Sequence, residues 1–474
     1  MPASALPEPR LLTWRGTLAL ALLAVVCFHL AHLVPALCFL SAIYLVALFG
    51  LARVSTTRIA FWLGLTLGLA VCAPHLHFFW PIFGPAALAL WLIIAIYVAF
   101  FLLLARLCVA CCRPWLAALL IPCLWLGLEY FRSELYYLRF AWLTPGLALS
   151  ATPTHWLLNH IGVYGFAFLV LLTAGLLSFC RRRTAVLAGA ILLATFAALV
   201  NLPIAHHQSN TAERGPLLVG IQLEFPSDGE VLRSLDAALT EYPTADILVL
   251  SEYTFDVPVP QSVRAWCREN RRHLIAGGRQ PVGNDEEFFN TVFVVDPQGD
   301  VVFEQAKCIP IQFFRDGRPA LTQRLWQSPW GPLGICICYD LSYTRVTDEL
   351  VRLGACAIIC PAMDVEHWGR YQHELHARIA PARAAEYGLP VFRLCSSGIS
   401  QYVASDGSLV ATAPFVGRGC TLAGCIPLTH AGTLPWDRYL APVAVVLTAL
   451  FCLWQVAETV RAQFRRKPPS PPNA

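Results

Sequence analysis

Long apolar runs broken by short polar stretches fill the first two hundred residues, and then the pattern changes. A bilayer core takes about 20 apolar residues per helix. Runs of that kind lie near Gly16–Leu30, Val34–Ala52, Ala60–Phe79, Pro85–Ala105, Trp115–Tyr130, Val163–Cys180 and Thr184–Ile204, and one more, Tyr439–Val456, follows after a long gap. Only "AHLVP" separates the first two, so they read as a tight hairpin or a broken helix. The first run has the look of a signal peptide, but the spans behind it argue that it is retained. From Gly215 to about Leu428 the periodicity is that of a water-exposed domain. Buried-strand runs such as "ADILVLSE", "LGICICYD" and "CAIICPAMD" alternate with helical stretches such as "EVLRSLDAALTEYP" and "VTDELVRLGA", and "VVDPQGDVV" and "SDGS" mark inserted hairpins. Alternation with hairpins argues for a layered α/β sandwich rather than a simple doubly wound sheet.

Composition agrees with this division. Only 14% of residues are charged, against about 25% in soluble domains. The basic residues give the orientation. Arg10 and Arg15 precede the first span, Arg53 and Arg58 follow the second, Arg113 follows the fourth, Arg181–Arg183 follow the sixth, and Arg461, Arg465, Arg466 and Lys467 follow the last. Seven spans before the gap put all of these on one side, which the positive-inside rule makes cytoplasmic. The expected organisation is a cytoplasmic N-terminus (1–15), a transmembrane bundle (16–204), an extracytoplasmic domain (215–428), a final span (439–456) and a proline-rich cytoplasmic tail (461–474). Arg132 and Arg139 break the rule, lying in the outer loop between spans five and six. They are candidate site residues, or else headgroup anchors. The small net charge, +4, comes from residues that membrane topology places, so no nucleic-acid partner is expected.

Polar residues collect where strands end, which is where α/β sheets build sites. Glu252 closes "ILVLSE", Lys307 follows a hairpin strand, Cys338 closes "GICIC" and Asp364 closes "AIICPAMD". In an extended strand Cys336 and Cys338 would point the same way. A disulfide between them would need a strained ring. A zinc site wants a further Cys or His pair, and "HELH" (His373–His376) lacks the glutamate of a zinc-protease helix, so no metal or other cofactor is expected. Cys336, inside the run, reads as a small apolar filler. Cys338, at its end, is placed to react. A thiol needs a base to remove its proton and a cation to hold the charge that develops, and Glu252 and Lys307 are of the right types.

A glutamate after an apolar strand, a lysine after a hairpin and a cysteine in "ICYD", in that order, resemble the nitrilase (carbon–nitrogen hydrolase) superfamily. "FNTVFVVDPQG" and "RAAEYGLP" are similar to further motifs of it. The resemblance implies an α/β/β/α sandwich carrying a Glu252–Lys307–Cys338 triad. In the membrane part, "LEYFRSELYYLRFAWLTPGLAL" and "GVYGFAFLV" are similar to the bacterial apolipoprotein N-acyltransferase family, whose several spans, extracytoplasmic nitrilase-like domain and final span match the layout read from the arginines. Three departures stand out. The loop "KCIPIQFFRDGRP" lacks the family's supporting glutamate, and Asp316 is its nearest carboxylate. Asp340 stands where the acyltransferases usually have glutamate. Met363 replaces the asparagine in the motif that contains Asp364.

The resemblance implies acyl transfer through a Cys338 thioester, with Lys307 and backbone N–H groups near Tyr339 holding the oxyanion. The donor would be a membrane phospholipid and the acceptor the N-terminal amine of a diacylglyceryl-modified apolipoprotein. It implies a monomeric multi-pass protein of the bacterial cytoplasmic (inner) membrane. Two other readings stay open: a membrane-tethered amidase or nitrilase using water, and a non-catalytic scaffold. The outer domain holds nine cysteines, whose pairing the sequence does not give.

Overall fold

The computed structural model describes residues 11–149, 155–180, 183–200, 215–283 and 287–465. The first ten residues, the end of the seventh predicted span and the tail beyond residue 465 lie outside them. Six helices among the described residues are long and apolar enough to cross a membrane: Trp14–Leu33, Thr57–His75, Ala86–Cys111, Pro114–Leu135, Leu157–Phe179 and Asp437–Phe464. A helix also covers Arg183–Val200. The second predicted span is shorter than its apolar run. Pro35 starts a 3₁₀ turn, Pro35–Leu37, and the helix proper is Leu40–Gly50 with one 3₁₀ turn to Arg53. At 1.5 Å per residue this segment spans about 21 Å of a core that is about 30 Å thick.

Small residues let the helices approach. A Cβ on Gly64 would stand 2.7 Å from Ala99 Cα, and one on Gly68 2.8 Å from Ala95 Cα. The helices Thr57–His75 and Ala86–Cys111 therefore meet backbone to backbone, the association that suits a solvent where apolar burial gives no drive.

The remainder is two six-stranded sheets face to face. The strands are β1 (Leu217–Ile221), β2 (Ile247–Leu250), β3 (His273–Pro281), β4 (Phe288–Val295), β5 (Val301–Ala306), β6 (Leu325–Ser328), β7 (Gly331–Ile335), β8 (Ala357–Ala362), β9 (Val391–Cys395), β10 (Ser400–Val403), β11 (Leu409–Ala413) and β12 (Thr421–Cys425). The orders are β12-β1-β2-β3-β4-β5 and β11-β10-β9-β8-β7-β6. Alternation sorts the side chains: Leu218, Ile247, Val249 and Ile275 meet Ile335, Ile359, Phe392 and Leu394 between the sheets. Val219, Leu248 and Leu250 instead face the helices Asp228–Glu241 and Gln261–Asn270. The first of these begins where Ser227 Oγ accepts the Glu230 N–H, and buries Val231, Leu235 and Ala238 at helical spacing. The helices Thr344–Arg352 and Ile379–Tyr387 cover the second sheet, and their apolar side chains join one continuous core with those of the membrane helices. The α/β/β/α sandwich thus rests its second helical layer on the bundle.

A break in a membrane helix fixes that seam. Gly162 interrupts His155–Phe179 at φ +71°, ψ 175°, a conformation open essentially to glycine alone. The break frees two N–H groups, and acidic side chains from elsewhere take them: Glu386 Oε1 accepts from Val163 N (3.1 Å) and Asp437 Oδ2 from Tyr164 N (2.9 Å). Arg438 bonds Asp348, Glu386 and Asp437 at 2.8, 2.9 and 2.6 Å, tying the last span to both helices of the layer above. A Cβ on Gly162 would overlap the Asp437 carboxylate. Gly162→Ala is therefore expected to cost more than the roughly 1–3 kcal/mol of backbone strain alone, read as a lower apparent Tm in detergent micelles.

Candidate active site

Three chain segments converge at the strand ends that face the bundle. Glu252 follows β2 and Lys307 follows β5. Both are almost fully buried, and Lys307 Nζ stands 2.9 Å from Glu252 Oε1. Asp316 supplies a second carboxylate, with Oδ2 2.8 Å from the same ammonium. Asn290 on β4 ties the two acids together, its Nδ2 donating to Glu252 Oε1 (2.6 Å) and Asp316 Oδ1 (2.9 Å). Tyr253 Oη and the Ile311 N–H also donate to Asp316 (both 2.7 Å), and the Met363 N–H donates to Glu252 Oε2 (2.8 Å). Each acid accepts more than one donor, as buried carboxylates must. Burial raises the Glu252 pKa and the Lys307 charge partly offsets this. The two carboxylates outweigh the desolvation of Lys307 and hold its pKa well above the ordinary range.

Cys338 opens the 3₁₀ turn Cys338–Ser342 with φ +50°. A non-glycine residue in that region is costly and persists where the surroundings hold it. Asp340, two residues on, does the holding. Its carboxylate accepts from Ile337 N (3.3 Å) in its own turn and from Cys308 N (3.1 Å) and Ile309 N (2.7 Å) in the lysine loop. Burial pushes the Asp340 pKa up to about 6 against the pull of Lys307 and these N–H groups. The thiol itself is buried, and burial and then Glu252 raise its pKa well above the usual value, with Lys307 opposing. The expectation that Cys336 and Cys338 share a direction does not hold. β7 ends at Ile335, and the two fall into different apolar clusters, Cys336 with Leu350 and Cys360, Cys338 with Ile337 and Cys395. All eighteen cysteines are unpaired.

Asp364 lies on the other side of the cysteine, within a cluster the sequence did not disclose. Arg393 Nη2 donates to its Oδ2 (2.5 Å), and His376 Nδ1 lies 2.8 Å from its Oδ1 and 2.7 Å from the same arginine nitrogen. His376, Asp364 and Cys338 present one ligand-type atom each within 4.8 Å of one another, but the Arg393 guanidinium already bonds two of the three and supplies the positive charge there. "HELH" had marked His376 only as a poor zinc motif. Its partners are 12 and 17 residues away on other elements.

An open-mouthed cavity adjoins this cluster. Its walls are mostly apolar, from Phe78, Phe79 and Phe83 in the bundle to Phe313 and Phe314 in the loop after Lys307, with Cys338, Asp364 and His376 at its inner end. Arg139 and Tyr339 also line it, and the Tyr339 hydroxyl donates to the Arg139 carbonyl (3.0 Å). Arg132 is elsewhere. The fifth span runs on through a π-helical turn to Leu135, which buries Arg132 beside a separate, smaller cavity among the helices, lined also by Glu129 and Trp125.

Comparison with known proteins adds to this geometry. Residues 13–176 match the apolipoprotein N-acyltransferase N-terminal domain, and residues 233–431 match the carbon–nitrogen hydrolase domain. The chain belongs to the apolipoprotein N-acyltransferase family. It is 25% identical over 433 residues to the apolipoprotein N-acyltransferase of Shewanella oneidensis, spanning 78% of this chain and 82% of that protein. To that of Geobacter metallireducens it is 23% identical over 393 residues, 73% and 74% of the two chains. Among solved structures, Saccharomyces cerevisiae Nit3, a member of branch 10 of the nitrilase superfamily, aligns with 45% of this chain and 90% of its own at 17% identity and a TM-score of 0.40. The family membership and the apolar helices make this a membrane-embedded enzyme of the carbon–nitrogen hydrolase superfamily.

Proposed function

We propose that this protein moves a fatty acyl chain from a membrane phospholipid to the N-terminal amine of a diacylglyceryl-cysteine on an apolipoprotein, through a thioester on Cys338. The observation that carries the reading is the cavity. It is lined mostly by apolar side chains of the bundle and of the loop after Lys307, which suits an acyl chain, and it reaches the Cys338 thiol. Glu252 takes the Cys338 proton as sulfur attacks the ester carbonyl, and Lys307 with the Tyr339 backbone N–H stabilises the oxyanion. Glu252 returns the proton to the departing lysophospholipid oxygen. Asp316 shares the charge of Lys307, the part the sequence left without a glutamate. Arg139, at the cavity wall, suits a headgroup phosphate.

The arginine distribution orients the sandwich to the outer face of the bacterial inner membrane, where diacylglyceryl-modified lipoproteins present their N-termini. The two boundaries at 16–204 and 215–428, the two cytoplasmic ends and the final span at 439–456 complete that topology, and a monomer is sufficient for it. Incubation of the full chain in micelles with an acyl-labelled phospholipid tests the reading. Intact-mass and peptide spectra should place one acyl group on Cys338, released to a diacylglyceryl-cysteinyl peptide with ping-pong kinetics. Label on Cys336, on Cys360 or nowhere rules out a thioester on Cys338.

A further inference from the structure

The cavity that reaches Cys338 and the smaller cavity beside Arg132 follow one another along the same helix. On Ala86–Cys111, Leu90 and Ile93 line the first, and Val98 and Phe101 line the second. Ile94 lines both and is only 5% exposed. At 1.5 Å per residue, Val98 and Phe101 lie about 6 and 10 Å further along the helix. The segment after the fifth span repeats the division, with Trp142 on the first cavity and Leu143 on the second. Trp142 is held in place, because its Nε1 donates to Ser342 Oγ (3.1 Å) and its ring stacks on His376 at 4.7 Å and 18°. The helix backbone is held as well. Ala95 packs on Gly68 so closely that a Cβ on the glycine would stand 2.8 Å from Ala95 Cα. The Ile94 side chain is therefore the part of the partition that a single substitution can change without moving the rest.

We propose that Ile94 is the stop at the end of the acyl cavity: it sets the longest chain the enzyme accepts from its donor and keeps that chain out of the second cavity. The inference rests on the acyl-transfer reading above. The chain whose ester carbonyl meets Cys338 lays its remaining carbons along the apolar wall, against Phe79, Leu90 and Ile93. Burial alone does not rank chains by length at this site. A methylene that leaves a bilayer for an apolar wall gains little, because lipid tails are as apolar as leucine. Rejection of longer chains comes instead from shape. An extra methylene pressed on a fixed wall forces side chains off their rotamers, whereas a chain that is too short only forgoes contacts. The accepted range should fall steeply above its limit and gently below it. Beyond Ile94 the lining continues apolar through Val71, Val98, Phe101 and Leu143. Cutting Ile94 back to alanine joins that space to the first cavity, and a larger side chain at the same position shortens the first cavity.

The full chain in micelles is offered an equimolar set of phospholipids that differ only in acyl length, from myristoyl to arachidoyl, and the acyl groups on Cys338 are read by intact mass. In Ile94→Ala the ratio of stearoyl to myristoyl thioester should rise about tenfold over wild type, and in Ile94→Trp it should fall by a similar factor. Adding Val98→Phe to Ile94→Ala refills the second cavity from the same helix and should cancel the gain. The ratio is read within one preparation, so a loss of folded protein does not move it. A ratio unchanged in both single variants, a shift of the same sign in both, or a gain that survives Val98→Phe overturns the inference, and the chain then leaves the cavity between the helices for the bilayer. Absence of any thioester on the wild-type chain with every donor is a different result, which removes the acyl-transfer reading itself.

Discussion

Cys338→Ser is expected to lower acyl transfer by about 10⁴-fold or more while the apparent Tm changes little. The size follows from what the site gives the thiol. Burial and the Glu252 charge keep Cys338 protonated at neutral pH, so its nucleophilicity depends on Glu252 taking the proton as the bond forms. A serine hydroxyl is a much weaker acid and nucleophile, and the same base does not make up the difference. The small change in stability follows from near-equal size and from a turn held by Asp340 rather than by the sulfur. The same dependence sets the pH profile of acylation. In the proposed acylation the active form of Glu252 is the carboxylate, and burial raises its pKa above that of an ordinary glutamate. The acylation rate should therefore rise with pH along a limb displaced upward from the usual carboxylate range, and Glu252→Gln should abolish that limb together with most of the rate. A limb at the ordinary glutamate position would contradict the burial argument.

The positions of Glu252, Lys307, Cys338 and Asp364 were legible because each follows an apolar strand run, and a residue just past a sheet strand has few places to go. Their convergence was not, since it depends on strand order, and β2, β5, β7 and β8 belong to two different sheets. Asp316 shows the boundary well. The missing glutamate is visible in the sequence as a departure, but only the loop's path brings the Ile311 N–H and Lys307 to Asp316. His376 is visible in the sequence only as part of "HELH", because a helical spacing says nothing of the Asp364 and Arg393 that hold the ring. Arg132 was misplaced for a local reason. The apolar run fades at Tyr130, but backbone hydrogen bonding continues through a π turn, so the side chain stays inside the bundle. The shared direction of Cys336 and Cys338 failed because strand alternation stops with the strand, and the left-handed φ of Cys338 turns the chain away.

Lys307→Met should be the most damaging single change to stability in the sandwich, with a loss of roughly 3–5 kcal/mol as for other broken buried ion pairs. The methionine fills the same space, so the effect isolates charge. Without the ammonium, Glu252 and Asp316 lie buried, joined through one asparagine amide, and no cation compensates them. Glu252, whose pKa burial already raises against the pull of Lys307, would then be held further above its unfolded value. The folded variant binds more protons than the unfolded chain in that window, so its stability should increase as pH falls through the raised value and be lowest at neutral pH. A double variant separates structure from chemistry. Lys307→Met with Asp316→Asn removes one of the two stranded charges, so it should recover a substantial part of the lost Tm in micelles while acyl transfer stays at background, because the oxyanion still lacks its cation. If the single variant is as stable as wild type at neutral pH, Lys307 does not carry the charge of two acids. If the double variant regains activity, Lys307 serves the fold alone.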